Sequence, residues 1–279
     1  MKDRDRHYHG IAETFDAKAG EQSSALTHHS LSKKDPIRER IHAVLDVHVP
    51  AEGLVLDLGC GAGDDTLHLL HRGNSVIAID VSPAMIERAE ARAVHAGHRV
   101  HRGFHVSPVG ALDDVLSRVG VRSGSVVGAI SSLGVLNHEP QLHRLGAALR
   151  GALAPGACLV TTVMGRVSPW RLLRAPFEGQ AESAIRRLIA GRGELTEGES
   201  CAAIQYFFPG SFSRALGPGF RVVDLQPLEW LSPPGDLAPT GATLGWIARK
   251  LGEIETRIGG HRAMTWMGDH FLMALERLP

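Results

Sequence analysis

"VLDLGCGAG", Val55 to Gly63, is the stretch that decides the fold. Val55, Leu56 and Leu58 form a short apolar run, as a parallel strand buried on both faces requires. Gly59, Gly61 and Gly63 then make a tight turn with no side chains in the way. Asp64 to Arg72 reads as a helix, with Asp64 or Asp65 near its cap and Gly73 just past its end. A strand, a glycine turn and a helix N-terminus together make a nucleotide site, because bare backbone lets a ligand approach closely.

The same alternation extends outward in both directions. Upstream, "KKDPIRERIHAVLDVHV" offers Asp35 as a cap, Pro36 at the first helical position, and apolar residues at Ile37, Ile41, Val44 and Leu45. Downstream, strands are expected at Ser75 to Asp80, Arg99 to Val106, Ser125 to Ser132 and Pro155 to Gly165. Between them lie helical segments: one started by Ser82 and Pro83 and stopped at Gly97, then "LDDVLSRV" and "QLHRLGAALRGAL". Strands alternating with helices predict an α/β fold with a doubly wound parallel sheet. After Gly165 the rhythm changes. An amphipathic helix is expected around Glu182 to Ala190, a helix at "FPGSFSRAL", a sixth strand at "FRVVDLQPL", a helix from Thr243 to Arg257, and a final strand at "DHFLMALERL".

Composition narrows the partners. With 30 basic and 30 acidic residues the net charge is zero, which gives no support to a nucleic-acid or anionic-membrane partner. Cys60, Cys158 and Cys201 are too few and too scattered for a disulfide framework or a zinc site, so no metal is expected. No run approaches transmembrane length and the N-terminus lacks the apolar core of a signal peptide, so a cytoplasmic protein is expected. Hydrophobic residues make up 43%, enough for a sizeable core. The 16 histidines make any single one weak evidence for catalysis.

A dinucleotide fingerprint would place glycine at position 64, where Asp64 stands. Asp57 followed by Gly59, Gly61 and Gly63 instead resembles the first motif of the class I S-adenosylmethionine-dependent methyltransferases. "IAIDVSPAMIERAEARA", "SSLGVLNH" and "ALAPGACLVTTVMG" extend the resemblance over residues 35–165. It implies a seven-stranded, mostly parallel sheet with its last strand antiparallel, helical cap segments, and S-adenosyl-L-methionine as cofactor. It also implies that Asp80, ending the second strand, receives the ribose hydroxyls; a carboxylate has two acceptor oxygens and no donor. Carried over on the same motifs, the cofactor set comprises Asp57, Gly59, Cys60, Gly61, Gly63, Asp80, Val81, Met85, Ser131 and Leu133. Where the family usually has an acidic residue after the third strand, this chain has Ala111 and Leu112, which can meet adenine only through backbone; Asp113 comes late. The N-terminal "YHGIAETFDA" is similar to segments that fold over cofactor in small-molecule members, which adds Tyr8 and Phe15.

The expected organisation is a cap segment at 1–34, a cofactor-binding core at 35–165, a cap insertion at 166–205, core at 206–229, a second insertion at 230–268 and a final core strand at 269–279. Asn137 and His138, after the fourth strand, are the candidate catalytic residues: His138 as a base, Asn137 as an orienting group. "NHEP" lacks the Asn/Asp-Pro-Pro-aromatic motif of amino-methylating nucleic-acid enzymes, and no Pro-Cys pair of the cytosine-C5 type exists. A small-molecule acceptor is therefore expected, methylated on O, N or C, by a monomer or homodimer. In the two insertions and at their borders lie Trp170, Tyr206, Phe207 and Trp230, candidates for an apolar or planar substrate pocket, together with Trp246 and Trp266. Two alternatives remain open: a non-methyl-transfer reaction on the same fold, or a non-catalytic cofactor-binding subunit.

Overall fold

The computed structural model describes residues 6–16, 36–99, 103–197, 200–234, 242–258 and 264–279. Residues 6–16 form helix α1. There follow α2 (Pro36–His48), β1 (Leu54–Leu58), α3 (Asp64–His71), β2 (Ser75–Asp80), α4 (Pro83–His95) and β3 (Phe104–Val106). The core continues with α5 (Leu112–Val119), β4 (Val126–Ser131), α6 (Leu142–Ala152) and β5 (Leu153–Met164). Beyond it come α7 (Pro169–Arg174), α8 (Ala181–Ala190), the antiparallel hairpin of β6 (Arg192–Glu197) and β7 (Ser200–Gln205), and α9 (Pro209–Leu216). The described chain closes with β8 (Phe220–Leu228), α10 (Ala242–Ile258) and β9 (His270–Arg277).

Seven strands form one sheet in the order β3-β2-β1-β4-β5-β9-β8. The five from β3 to β5 are parallel, and β9 inserts antiparallel between β5 and β8. The period-2 alternation of strand side chains sorts the apolar residues onto two faces. Ile77, Ile79, Leu159, Met273 and Leu275 meet Leu112, Val115, Leu145, Leu149, Phe212 and Leu216 of α5, α6 and α9. Val76, Ala78, Val160, Leu272 and Ala274 meet Ile41, Val44 and Leu45 of α2, Leu69 of α3, and Ile86 and Ala89 of α4. The result is a three-layer α/β/α arrangement, which explains why the strands read as unbroken apolar runs.

The chain runs from β1 outward through β2 to β3 and then returns to β4 on the other side of β1. The strand order therefore reverses between β1 and β4, and in open α/β sheets ligands bind in the crevice at the carboxyl ends of such a pair.

Several local readings meet particular atoms here. Ser82 caps α4 by accepting from Met85 N at 3.1 Å, with Pro83 at the first turn. α3 starts from Gly63 in the left-handed region (φ 85°) without a side-chain cap, and Asp64 and Asp65 occupy its first turn. The proposed cap Asp35 lies outside the described residues. The hairpin β6–β7 and the short α7 were not anticipated, because the charged "RGELTE" hides any apolar alternation. Among the described helices none is long and apolar enough to cross a membrane.

Candidate active site

A cavity of about 270 Å³ opens at the reversal point. Its walls come from the segments that follow β1 (Gly59 to Ala62), β2 (Asp80, Val81), β3 (Pro108, Val109) and β4 (Ser132, Leu133, Val135), with Met85 of α4 beside them. The turn Gly59–Gly63 has all three glycines at positive φ, a conformation that L side chains rarely adopt. At Gly61 a Cβ would meet nothing within 4 Å, so the bare backbone there faces open space. Gly63 serves packing instead: its missing Cβ would lie 2.9 Å from Ala89 of α4.

Asp80 is 8% exposed and lines this cavity. Its Oδ2 accepts from Gly61 N and its Oδ1 from Ser82 N, both at 2.9 Å. Burial pushes its carboxyl above the usual range, and these backbone amides oppose that rise. The amides hold the group in one orientation, and a carboxylate oxygen can accept more than one hydrogen bond. Asp57 does not reach the cavity. It is 1% exposed and accepts from Thr66 Oγ1 at 2.5 Å, and burial beside Asp65 raises its carboxyl well above normal. Its place is beneath the glycine turn, tying β1 to α3.

Asp65 was missed by sequence reasoning. It lines the cavity and accepts from Arg38 at 2.7 Å, His42 at 2.8 Å, and Ser132. Burial acts to raise its carboxyl, but the His42 hydrogen bond and the Arg38 charge outweigh that and hold it at about 2. Arg38 also reaches Asp64 at 3.7 Å. The signal available was the acidic pair opening α3, but its partners sit some 25 residues upstream and 67 downstream, beyond the reach of any local motif.

Helix α1 covers the cavity. Tyr8, Ile11 and Phe15 recur at three- and four-residue spacing and line it on one face. Tyr8 donates to Glu139 at 2.8 Å, His7 Nε2 lies 2.7 Å from His138 O, and Asp16 accepts from Ser82 Oγ at the start of α4. Glu139 is thus a second wall residue that the sequence did not reveal.

His138 lines the cavity at 7% exposure, edge-on to Phe15. Its Nδ1 lies 3.1 Å from Ala203 O. A carbonyl only accepts, so the neutral ring carries its proton on Nδ1 and its basic lone pair on Nε2. Asn137 is fully buried and acts as a clamp: it donates to Met164 O and Gln205 O and accepts from Met164 N at 2.8 Å. Leu133 adopts a left-handed φ of 55°, held by donation from its N to Thr162 Oγ1 at 2.5 Å. Cys60 is on the wall, but burial and the nearby carboxylates keep its thiol protonated and therefore a poor nucleophile.

The remaining sequence candidates fall elsewhere. Ser131 donates to Leu58 O at 2.8 Å and stitches β4 to β1. Leu112 is core, and Ala111 ends the short turn after β3, where Pro108 and Val109 form the wall instead. Phe207 packs against Phe212 with ring centroids 5.6 Å apart, as part of the core rather than of a pocket. Trp170 donates to Leu231 O at 3.1 Å, and Trp246 and Trp266 are about half exposed. The Trp230 indole nitrogen is buried without a partner among the described residues and lines neither cavity. Tyr206 lines a second cavity, of about 300 Å³, beyond the end of β5. Glu229, Asp269 and His270 are the one described group whose ligand atoms lie within 4.8 Å of one another. Asp269 is already held by Arg171 and Arg187 at 2.8 and 2.9 Å, an arrangement hostile to a cation.

The comparisons match this geometry. A family model described as a methyltransferase domain matches residues 55–156, which span β1 to the start of β5. The segment from β1 to the start of β5 is thus similar to a methyltransferase domain. The open backbone at Gly61 and the fixed carboxylate of Asp80 both lie within the matched segment. Beyond that segment, the chain is 29% identical over 219 residues to a trans-aconitate 2-methyltransferase of Methylobacterium radiotolerans, covering 75% of this chain and 73% of that protein. It is 29% identical over 151 residues to a carboxy-S-adenosyl-L-methionine synthase of Cronobacter sakazakii, covering 53% of this chain. The chain spans 58% of the length of that relative. A crystal structure of a putative S-adenosylmethionine-dependent methyltransferase from Listeria monocytogenes matches 88% of this chain and all of its own, with a TM-score of 0.56 at 12% identity. The chain therefore carries the same fold as that structure.

Proposed function

We propose that this protein transfers a methyl group from S-adenosylmethionine to an O, N or C nucleophile of a small molecule. The carrying observation is Asp80, fixed by Gly61 N and Ser82 N at the wall of the cavity where the strand order reverses. When bound, the cofactor supplies an activated methyl on a sulfonium sulfur. Asp80 would accept the ribose hydroxyls, the backbone from Gly59 to Ala62 would pass beneath the ligand, and Pro108, Val109 and Met85 would flank its base. Tyr8, Ile11 and Phe15 would exclude water from above. His138, with its lone pair on Nε2, is the group able to take a proton from a hydroxyl or amine acceptor. Asn137 positions the segment that carries it.

In this reading the insertions at 166–205 and 230–268 form the acceptor side, and the protein works in the cytoplasm without a nucleic-acid or membrane partner. The 29% identity to a trans-aconitate 2-methyltransferase supports a small acceptor. A second reading, alteration of the cofactor itself without methyl transfer, is supported by the likeness to a carboxy-S-adenosyl-L-methionine synthase. Incubation with methyl-labelled cofactor and a panel of small carboxylic acids, phenols and amines separates the two. Label in the acceptor together with S-adenosylhomocysteine supports transfer. A modified sulfonium product that keeps the label supports the second reading. His138→Ala should slow transfer about 10²-fold while leaving cofactor affinity nearly unchanged.

A further inference from the structure

The second cavity lies beyond the carboxyl end of β5 and is walled by Met164, Arg166, Ser168, Arg171, Arg187 and Tyr206. It adjoins the cofactor cavity through the segment after β4. Leu133 lines the first cavity, Met164 lines the second, and the Cβ that Gly134 lacks would lie 2.7 Å from Met164 Cε.

Its charge is unusual for a half-enclosed space. Arg171 and Arg187 share the single buried carboxylate of Asp269. Arg187 also donates to Gly165 O and Asp269 O, and its guanidinium stacks 4.4 Å over the Tyr206 ring. Arg166 is half-buried and makes no ion pair with a described residue: its Nε donates to Tyr206 O and its Nη1 to Ile189 O, each at 3.2 Å. Gly191 makes room for it, since a Cβ there would lie 2.4 Å from the Arg166 nitrogens. Glu178 and Glu194 also line the cavity; Glu178 is exposed and paired with Arg174, and Glu194 is exposed on β6. His270 is turned to Glu229, with its Nδ1 at 3.1 Å. An independent observation is Ser168. The residue lines the cavity at 1% exposure, and its buried hydroxyl has no hydrogen-bond partner among the described residues. Such a group is costly unless a ligand completes it.

We propose that this cavity is the acceptor pocket and that it binds an oxyanion of the acceptor, carboxylate or phosphate, on Arg166 and the Ser168 hydroxyl. Arg171 and Arg187, fixed by Asp269, add a preset positive field behind it. The assignment as acceptor pocket rests on the methyltransferase reading above; the oxyanion preference rests on the cavity alone.

The test uses benzoate, phenyl phosphate and neutral benzamide as probes, titrated by calorimetry into the full chain saturated with S-adenosylhomocysteine. Benzoate or phenyl phosphate should bind at least about tenfold more tightly than benzamide, the equivalent of one charge-assisted hydrogen bond. Benzoate as the tighter of the two identifies a carboxylate acceptor, and phenyl phosphate a phosphorylated one. Arg166→Gln should weaken the anion about tenfold and Arg166→Lys should restore part of the loss, with S-adenosylhomocysteine affinity unchanged throughout. Ser168→Ala breaks no internal hydrogen bond, so it should weaken the anion without lowering the melting temperature. Equal binding of benzamide, no binding of either anion, or indifference to both Arg166→Gln and Ser168→Ala overturns the proposal. If the wild type binds the anions with this preference but not S-adenosylhomocysteine, the cofactor reading fails and the oxyanion site stands without its acceptor role.

Discussion

The two cavities sit side by side at the same edge of the sheet and are built in opposite ways. The cofactor cavity takes its floor from short contiguous turns at the ends of four parallel strands, among them the glycine turn after β1. The second cavity is assembled from side chains of α7, α8, the β6–β7 hairpin and the start of β9, which span more than a hundred residues of sequence. In the first, geometry is dictated by the sheet and a few glycines. In the second, it depends on one buried ionic junction, Arg171–Asp269–Arg187, that ties α7 and α8 to the start of β9. A backbone-built site tolerates changes in its surroundings, whereas a junction-built site fails when the junction fails.

The sharpest way to break this contrast is Asp269→Asn. It leaves two guanidiniums without their carboxylate and should cost about 3–5 kcal/mol of stability in urea unfolding. Burial acts to raise the Asp269 carboxyl, but Arg187, His270 and Arg171 outweigh that and hold it well below its ordinary value of 3.8. The folded-state value is therefore the lower one, so the stabilisation is present above about pH 4 and disappears as pH falls further. The difference between wild type and Asp269→Asn should shrink over that acidic window, and a difference independent of pH would refute the ionic account.

Asp80→Ala comes next. Loss of the ribose acceptor, at about 1.5–3 kcal/mol per charge-assisted hydrogen bond, should lower S-adenosylhomocysteine affinity at least tenfold in calorimetry. Binding of benzoate in the second cavity should persist, and joint loss of both ligands would show that the two sites are not built independently. Tyr8→Phe carries the smallest effect. Removing the hydrogen bond to Glu139 should loosen α1 and speed S-adenosylhomocysteine release by several-fold in stopped-flow displacement, with the second cavity unaffected. Hydrogen exchange in residues 6–16 should slow when the cofactor product is added, and more so in wild type than in Tyr8→Phe.

The unequal legibility of the two sites follows from the same difference. Gly59, Gly61, Gly63 and Asp80 could be read because a strand, a turn and a helix start leave a local pattern, and the Tyr8, Ile11, Phe15 face of α1 follows helical spacing. Arg38 and Asp65 could not be read: their pairing is tertiary, and each looks like an ordinary charge on a helix. Of the aromatic candidates, Tyr206 lines the second cavity and the others do not, for a related reason. Aromatics signal burial, and burial serves a core as readily as a pocket, so Phe207 joins Phe212 and Phe271 while the cavity wall is made by arginines that read as surface. The β6–β7 hairpin was hidden because its strands are defined by pairing with each other rather than by an apolar face.

The position of β9 bears on how the molecule comes into being. Its seven partners on β5 begin with Met164 opposite His270, more than a hundred residues apart in sequence, and β8 pairs with no other strand among the described residues. During synthesis the five parallel strands can assemble early, but β5 then presents a bare hydrogen-bonding edge of apolar residues until β9 emerges. A nascent chain paused within α10 would therefore be an aggregation-prone species, and a chaperone that shields β5 during that interval would raise the yield of native protein more than one acting on the completed polypeptide.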